Sequence, residues 1–172
     1  MDTDEMVITI NHSSGADTSE IVTDIDGNTY QTVTIGNQTW MAENLATSKY
    51  NDGTNIPHIT SNSEWADLSL PAYCWYNNDE ENYKEAYGAL YNWYAVETGK
   101  LCPDGWQVPT DNEWNELKDY VSNDGHAGTE GIALKAKQGW NNEGNGTDDY
   151  GFSALPAGYR YKEGGVFYSE GS

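Results

Sequence analysis

Oxygen donors crowd one stretch of this chain, Trp140-Asn-Asn-Glu-Gly-Asn-Gly-Thr-Asp-Asp-Tyr150. Calcium takes carboxylate and amide oxygens at about 2.4 Å, so Asn141, Glu143, Asn145 and Asp148 form a candidate calcium set. Trp140, Asn142 and Asp149 form a candidate ligand surface beside it. An indole face can stack on a sugar ring or anchor a protein. The same composition also describes an ordinary polar loop around a core tryptophan, and glycine at Gly144 and Gly146 makes it a loop in either case.

A second cluster, Asp24, Asp26 and Asn28, has the look of a calcium loop but fails its template. That template puts glycine sixth and glutamate twelfth, whereas here glycine is fourth and Ile35 is twelfth. Hairpin-turn chemistry accounts for these residues better.

Nucleophilic catalysis needs a nucleophile, a base and an orienting group. His12, His58 and His126 all sit in turn-like polar segments with no serine elbow beside them. Abundant Asp and Glu do not by themselves make a glycosidase pair. The expectation is therefore no catalytic residue and no enzyme. Cys74 and Cys102 make no disulfide framework and lack zinc spacing. They are left to bridge each other, to stay free, or to pair outside this chain.

Charge narrows the partners further. Eight Lys and Arg stand against 28 Asp and Glu, a net charge of −20. Nucleic acid and anionic membranes need a basic footprint, so both are excluded as partners. Cations and neutral polar ligands remain, with a polysaccharide or another surface protein as the candidate classes. No run of about 18 apolar residues occurs, so no membrane insertion is expected of this chain. The opening Met1-Asp-Thr-Asp-Glu-Met-Val is acidic where an export signal would be basic and then apolar.

Elements must position these groups. Residues 1–21 read as a flexible acidic linker or arm, and 22–172 as one domain. Turns at Asp26-Gly27-Asn28 and Gly36-Asn37 separate short antiparallel strands running to about Leu45. Ser61-Asn-Ser-Glu64 has capping-box form before a short helix. Ala86, Tyr87, Leu90, Tyr91 and Tyr94 recur at helical spacing, which predicts a helix over about Asn82 to Glu97. Thr110 and Glu113 predict a capped helix with a Trp114, Leu117, Val121 stripe, ended by Asp124-Gly125. Ile132 to Lys137 reads as a short helix or strand. Strand-like composition returns from Gly151 to Tyr161, with Gly164-Gly165 as a hairpin turn before Val166-Phe-Tyr168. Seven Trp and thirteen Tyr against two Phe mean that rings with polar handles must build most of the core.

Seven ordered motifs carry a family resemblance. They are Asp24-x-Asp-Gly-Asn-x-Tyr, Ile35-Gly-x-Gln-x-Trp-Met-Ala-Glu-Asn-Leu45, Tyr50-Asn-Asp-Gly-Thr and Cys74-Trp-Tyr-Asn-Asn-Asp79. Tyr87-Gly-Ala-Leu-Tyr-Asn-Trp-Tyr-Ala-Val96, Cys102-Pro-x-Gly-Trp-x-Val-Pro-Thr-Asp-x-Glu-Trp114 and Gly151-Phe-Ser-Ala-Leu-Pro-Ala-Gly-Tyr-Arg160 complete the set. Together they resemble the Fibrobacter succinogenes major paralogous domain (FISUMP) family from about residue 22 onward. That resemblance implies an exported or lipoprotein-borne module of Bacteroidetes and Fibrobacteres, extracellular or at the cell surface, with no established activity.

A more distant likeness exists to formylglycine-generating-enzyme-like proteins, through Trp93 to Gly99 and then Val108-Pro-Thr-Asp-x-Glu-Trp114. It implies a C-type-lectin-like α+β fold, with two main helices and short twisted antiparallel β-sheets. The reactive cysteine pair of those enzymes has no counterpart here. Neither do the Glu-Pro-Asn or Gln-Pro-Asp triplets of sugar-binding C-type lectins. Against the family pattern the chain reads as C-terminally truncated, lacking a Trp-Ser-Ser motif and a terminal Val-Arg-Cys. The expected consequences are an exposed edge near Tyr30 to Ile35 and a Cys102 without its family partner.

The sum is a non-enzymatic secreted or surface module, binding or structural. A calcium-dependent carbohydrate- or protein-binding, lectin-like domain is the alternative, and a formylglycine-generating-like enzyme is the second.

Overall fold

Short strands and short helices alternate along the whole chain, as its frequent Gly, Asn and Asp punctuation requires. The computed structural model describes Thr3–Asp4, Ile10–Asn11 and residues 21–171. Thr3–Asp4 (β1) and Ile10–Asn11 (β2) are strands, followed by β3 (Ile21–Thr23), β4 (Thr29–Ile35) and β5 (Gln38–Met41). The rest of the expected acidic arm lies outside the described residues.

After β5 come α1 (Asn62–Ala66), β6 (Tyr73–Cys74), α2 (Glu80–Tyr87), β7 (Leu90–Tyr91) and α3 (Trp93–Val96). The chain continues through α4 (Asp111–Val121), α5 (Glu130–Leu134), β8 (Ala157–Tyr161) and β9 (Phe167–Glu170). The strands form three small antiparallel sheets of order β1-β8-β9, β2-β5-β4-β3 and β6-β7. The class is mixed α and β.

β4 lies between β5 and β3 in the strand order, but each neighbour pairs with a different half of it. Thr29 to Gln31 pair with β3, and Thr32 to Ile35 pair with β5. The two turns that fold this meander are those marked by glycine in the sequence. Gly27 and Gly36 both have positive φ, which glycine adopts without steric cost.

The expected helix over Asn82 to Glu97 is two helices with a strand between them. Gly88 breaks it at φ +67°, where a Cβ would lie 2.7 Å from the Leu45 carbonyl oxygen. Ala89 N–H then donates to that same carbonyl, and β7 pairs with β6. Leu90 and Tyr91 are buried as strand residues, while α2 buries none of its side chains. Tertiary pairing therefore overrides the helical spacing of these apolar residues.

The α4 helix follows its sequence closely. Thr110 Oγ1 accepts from the Glu113 amide at 3.4 Å, and a Glu113 carboxylate oxygen accepts from the Thr110 amide at 2.7 Å. Leu117 and Val121 are buried, but Trp114 stays 38% exposed with its ring centre 4.9 Å from that of Trp40. A π turn at Ser122–His126, with Gly125 at φ +105°, ends the helix where Asp124-Gly125 predicted.

The core is aromatic, as composition required. One cluster gathers Tyr30, Met41, Leu45, Tyr73, Trp75, Tyr91 and Leu101; a second packs Trp40, Leu117, Val121 and Phe152; a third holds Trp65, Cys74, Tyr76 and Leu90. Two of the polar handles are used inside: Tyr91 Oη donates to Thr47 O at 2.7 Å, and Tyr30 Oη donates to Asp24 Oδ2 at 2.6 Å, whereas the buried Nε1 atoms of Trp40 and Trp75 have no hydrogen-bond partner among the described residues. Cys74 and Cys102 are both buried and do not bridge each other. Burial pushes the Cys102 thiol up to about 12, far from a reactive thiolate.

Candidate functional site: an acidic loop and an aromatic cleft

Backbone bonds stitch the acidic loop to α5 and the residues after it. Thr147 N–H donates to Ile132 O, Asp149 N–H to Ala133 O, and Gly146 N–H to Ala136 O, at 2.8 to 2.9 Å. The loop is thus held as a fixed shape. Its first residue, Trp140, is half-buried, with Nε1 donating to Ala154 O at 3.0 Å and Lys135 Nζ 3.9 Å from the ring centre.

Each predicted oxygen donor has a definite place in this frame. Asn145 Oδ1 accepts from the Trp140 amide at 3.0 Å, and Asn141 N–H donates to Gly171 O. Asp148 accepts from both the amide and the hydroxyl of Ser153, at 2.8 and 2.7 Å. Asp149 Oδ2 accepts from Thr147 Oγ1 at 2.6 Å and lies 3.8 Å from His126 Nε2. Asn142 and Glu143 are exposed, both in the left-handed backbone region at φ +54° and +60°. Among the described residues, no three His, Cys, Asp or Glu side chains converge on one metal-sized position.

The turn at Asp24 to Asn28 is a closed hydrogen-bond hub. Asp24 Oδ1 accepts from the amides of Asp26 and Asn28 at 2.9 Å, while Oδ2 accepts from Asn28 Nδ2 and Tyr30 Oη. Asp26 Oδ2 accepts from the Ser48 amide and hydroxyl at 2.6 and 2.8 Å, and Oδ1 pairs with Lys49 Nζ at 2.7 Å. Burial alone would raise the Asp26 carboxyl, but the bonds from Lys49 and Ser48 outweigh it and hold it down to about 2. This is hairpin-turn chemistry, as the failed calcium template suggested.

A second hub closes the other end of the domain. Arg160 on β8 is fully buried and meets no carboxylate among the described residues. Its guanidinium donates to the carbonyls of Ile59, Thr60 and Gly165 and to Asn62 Oδ1, between the rings of Trp65 at 4.4 Å and Phe167 at 4.7 Å. The planar fork of five donors suits this set of carbonyls, and the aromatic faces hold its charge. It ties the β8–β9 hairpin to the start of α1.

Beside this hub lies a cleft of about 180 Å³ that the sequence reading missed. Trp65 and Leu68, at α1 and just beyond it, form one wall; Trp93, Tyr94 and Glu97 form another; Lys162, from the β8–β9 turn, forms the third. Trp93 is 54% exposed. Its position is fixed from below by Asn92, which is buried. Asn92 Nδ2 donates to Leu70 O at 2.8 Å, and Oδ1 accepts from the amides of Ala72 and Ala95 at 3.0 and 3.1 Å. The signal was present in the sequence: Asn92 is an N-cap residue type, and neighbouring Trp93 and Tyr94 cannot share one buried face of a helix that buries Ala95.

Of the described histidines, His126 borders the acidic loop through Asp149, and neither lines the cleft. His58 is exposed and stacks on Tyr73 at 4.9 Å. His126 meets the Tyr150 ring edge-on at 5.7 Å. Burial and the Asp124 carboxylate push the Tyr150 phenol up to about 12. His12 lies outside the described residues. No helix among the described residues is long and apolar enough to cross a membrane.

Among the described residues, three small antiparallel sheets, five short helices and an aromatic core define an α+β domain with loops and a cleft at its surface. The chain belongs to the Fibrobacter succinogenes major domain family, whose model matches residues 33–172. No curated protein and no solved structure matches it.

Proposed function

We propose that this domain is a non-enzymatic recognition module, displayed outside the cell or on its surface, on a C-type-lectin-like frame. The observation that carries the reading is the fixed cleft with a largely exposed tryptophan at its mouth. Aromatic anchors held in place are how binding surfaces concentrate affinity. The partner is a polysaccharide or another surface protein. The net charge of −20 supports a neutral polar partner over an anionic one. Arrays of glycans and of purified surface proteins, probed with the whole chain, test this; uniform silence would leave a purely structural spacer.

A second reading keeps the acidic loop as a calcium-assisted part of the same module. It is supported by the fixed backbone of residues 140–149 and by the exposed side chains of Asn141, Asn142, Glu143 and Asn145. Asp148 and Asp149 would complete the oxygen set by exchanging their present donors for the ion. Millimolar calcium would then raise the melting temperature by several degrees. No shift at that concentration removes the ion from this reading. Trp140→Ala separates a ligand surface, with binding lost and stability kept, from a packing role.

A further inference from the structure

The Trp93 cleft has a chemistry that narrows its ligand beyond the general recognition role on which this inference rests. Its volume of about 180 Å³ is below the roughly 300–1,000 Å³ of sites for drug-sized molecules. It therefore takes one ring-sized unit, with any remainder of the ligand extending into solvent. Trp93 offers a flat apolar face, and Tyr94 places a second ring at the same wall.

Two side chains of opposite sign, Glu97 and Lys162, complete the polar lining. An anionic ligand would meet Glu97, and a cationic one would meet Lys162. A ligand with no charge but with hydroxyls that both donate and accept suits both at once. A pyranose ring joins that pattern of hydroxyls to an apolar C–H face of indole size. The three bonds at Asn92 hold the platform in place before any ligand arrives, which lowers the ordering cost of binding.

We propose that this cleft binds a single neutral pyranose unit of an oligosaccharide. The sugar's C–H face lies on Trp93, and neighbouring hydroxyls bond to Glu97 and Lys162.

Isothermal titration of the whole chain tests this with four probes: β-1,4-linked glucose, xylose and galacturonate oligomers, and a Trp-Trp dipeptide. The expected result is binding of a neutral oligomer near the millimolar range, about −4 kcal/mol. Trp93→Ala should weaken it at least tenfold, with the melting temperature unchanged within about 2 °C. Glu97→Gln and Lys162→Ala should each weaken it several-fold, and either carries the test if Trp93→Ala fails to fold.

Neutral binding that survives Trp93→Ala and both polar variants overturns this site while leaving the recognition role to another surface. Binding of galacturonate alone, or of the dipeptide alone, overturns the neutral-sugar class but keeps a ligand at the cleft. Silence to all four probes overturns the proposal. The broader role then stands or falls on the glycan and protein arrays.

Discussion

Two turns of this domain have nearly the same composition and opposite uses of their oxygens. In the Asp24 to Asn28 turn, both carboxylates are enclosed by donors from three segments, including Tyr30, Ser48 and Lys49. In the Asn141 to Asp149 loop, backbone bonds fix the chain while several side chains point to solvent. What separates them is the supply of N–H and O–H donors around each carboxylate. A dense supply makes an acidic residue a structural strut, and a sparse one leaves it available.

The largest test of this contrast is Asp24→Ala. It leaves two turn amides and the buried Tyr30 hydroxyl without their acceptor, and should cost about 3 kcal/mol in urea unfolding. A loss below about 1 kcal/mol would mean that the turn holds without its hub.

Next is the pH dependence of Asp26. Its folded-state value of about 2 lies below the ordinary 3.8, so its stabilising effect is complete above about pH 4. It is lost as the pH falls from about 4 through 2. The contribution at neutral pH should be about 1–2 kcal/mol, and Asp26→Asn should flatten this part of the stability-against-pH curve.

Asp148→Ala removes the acceptor for the Ser153 amide and hydroxyl at a half-buried site, and should cost about 1 kcal/mol. The smallest effect should have the opposite sign. Glu143 is exposed at φ +60°, so Glu143→Gly should raise stability by about 0.5–1 kcal/mol in thermal melts. A loss there would show that its side chain is a strut after all.

Local signals survived folding where one element satisfied its own needs. The Thr110–Glu113 capping box requires only four consecutive residues, and α4 begins where it says. The Ser61 cap, the Gly27 and Gly36 turns and the Gly164-Gly165 hairpin are of the same kind. Leu90 and Tyr91 were illegible because their strand exists only through pairing with Tyr73 and Cys74, far away in sequence. The acidic loop was legible as a loop from Gly144 and Gly146. Which of its carboxylates stay occupied depended on Ser153 and Thr147, whose hydroxyls carry no positional signal in a sequence.

Arg160 also sets an order of events. Its partners Ile59 and Thr60 lie 101 and 100 residues earlier, so they wait for nearly the whole chain before their carbonyls are filled. At 5–20 residues per second, that interval is on the order of 5–20 s during synthesis. Until the β8–β9 hairpin arrives, the wall formed by Trp65 lacks its guanidinium cover and α1 lacks its anchor. The cleft is therefore among the last parts of the molecule to mature, and a nascent chain cut short before Arg160 should be sticky rather than merely incomplete.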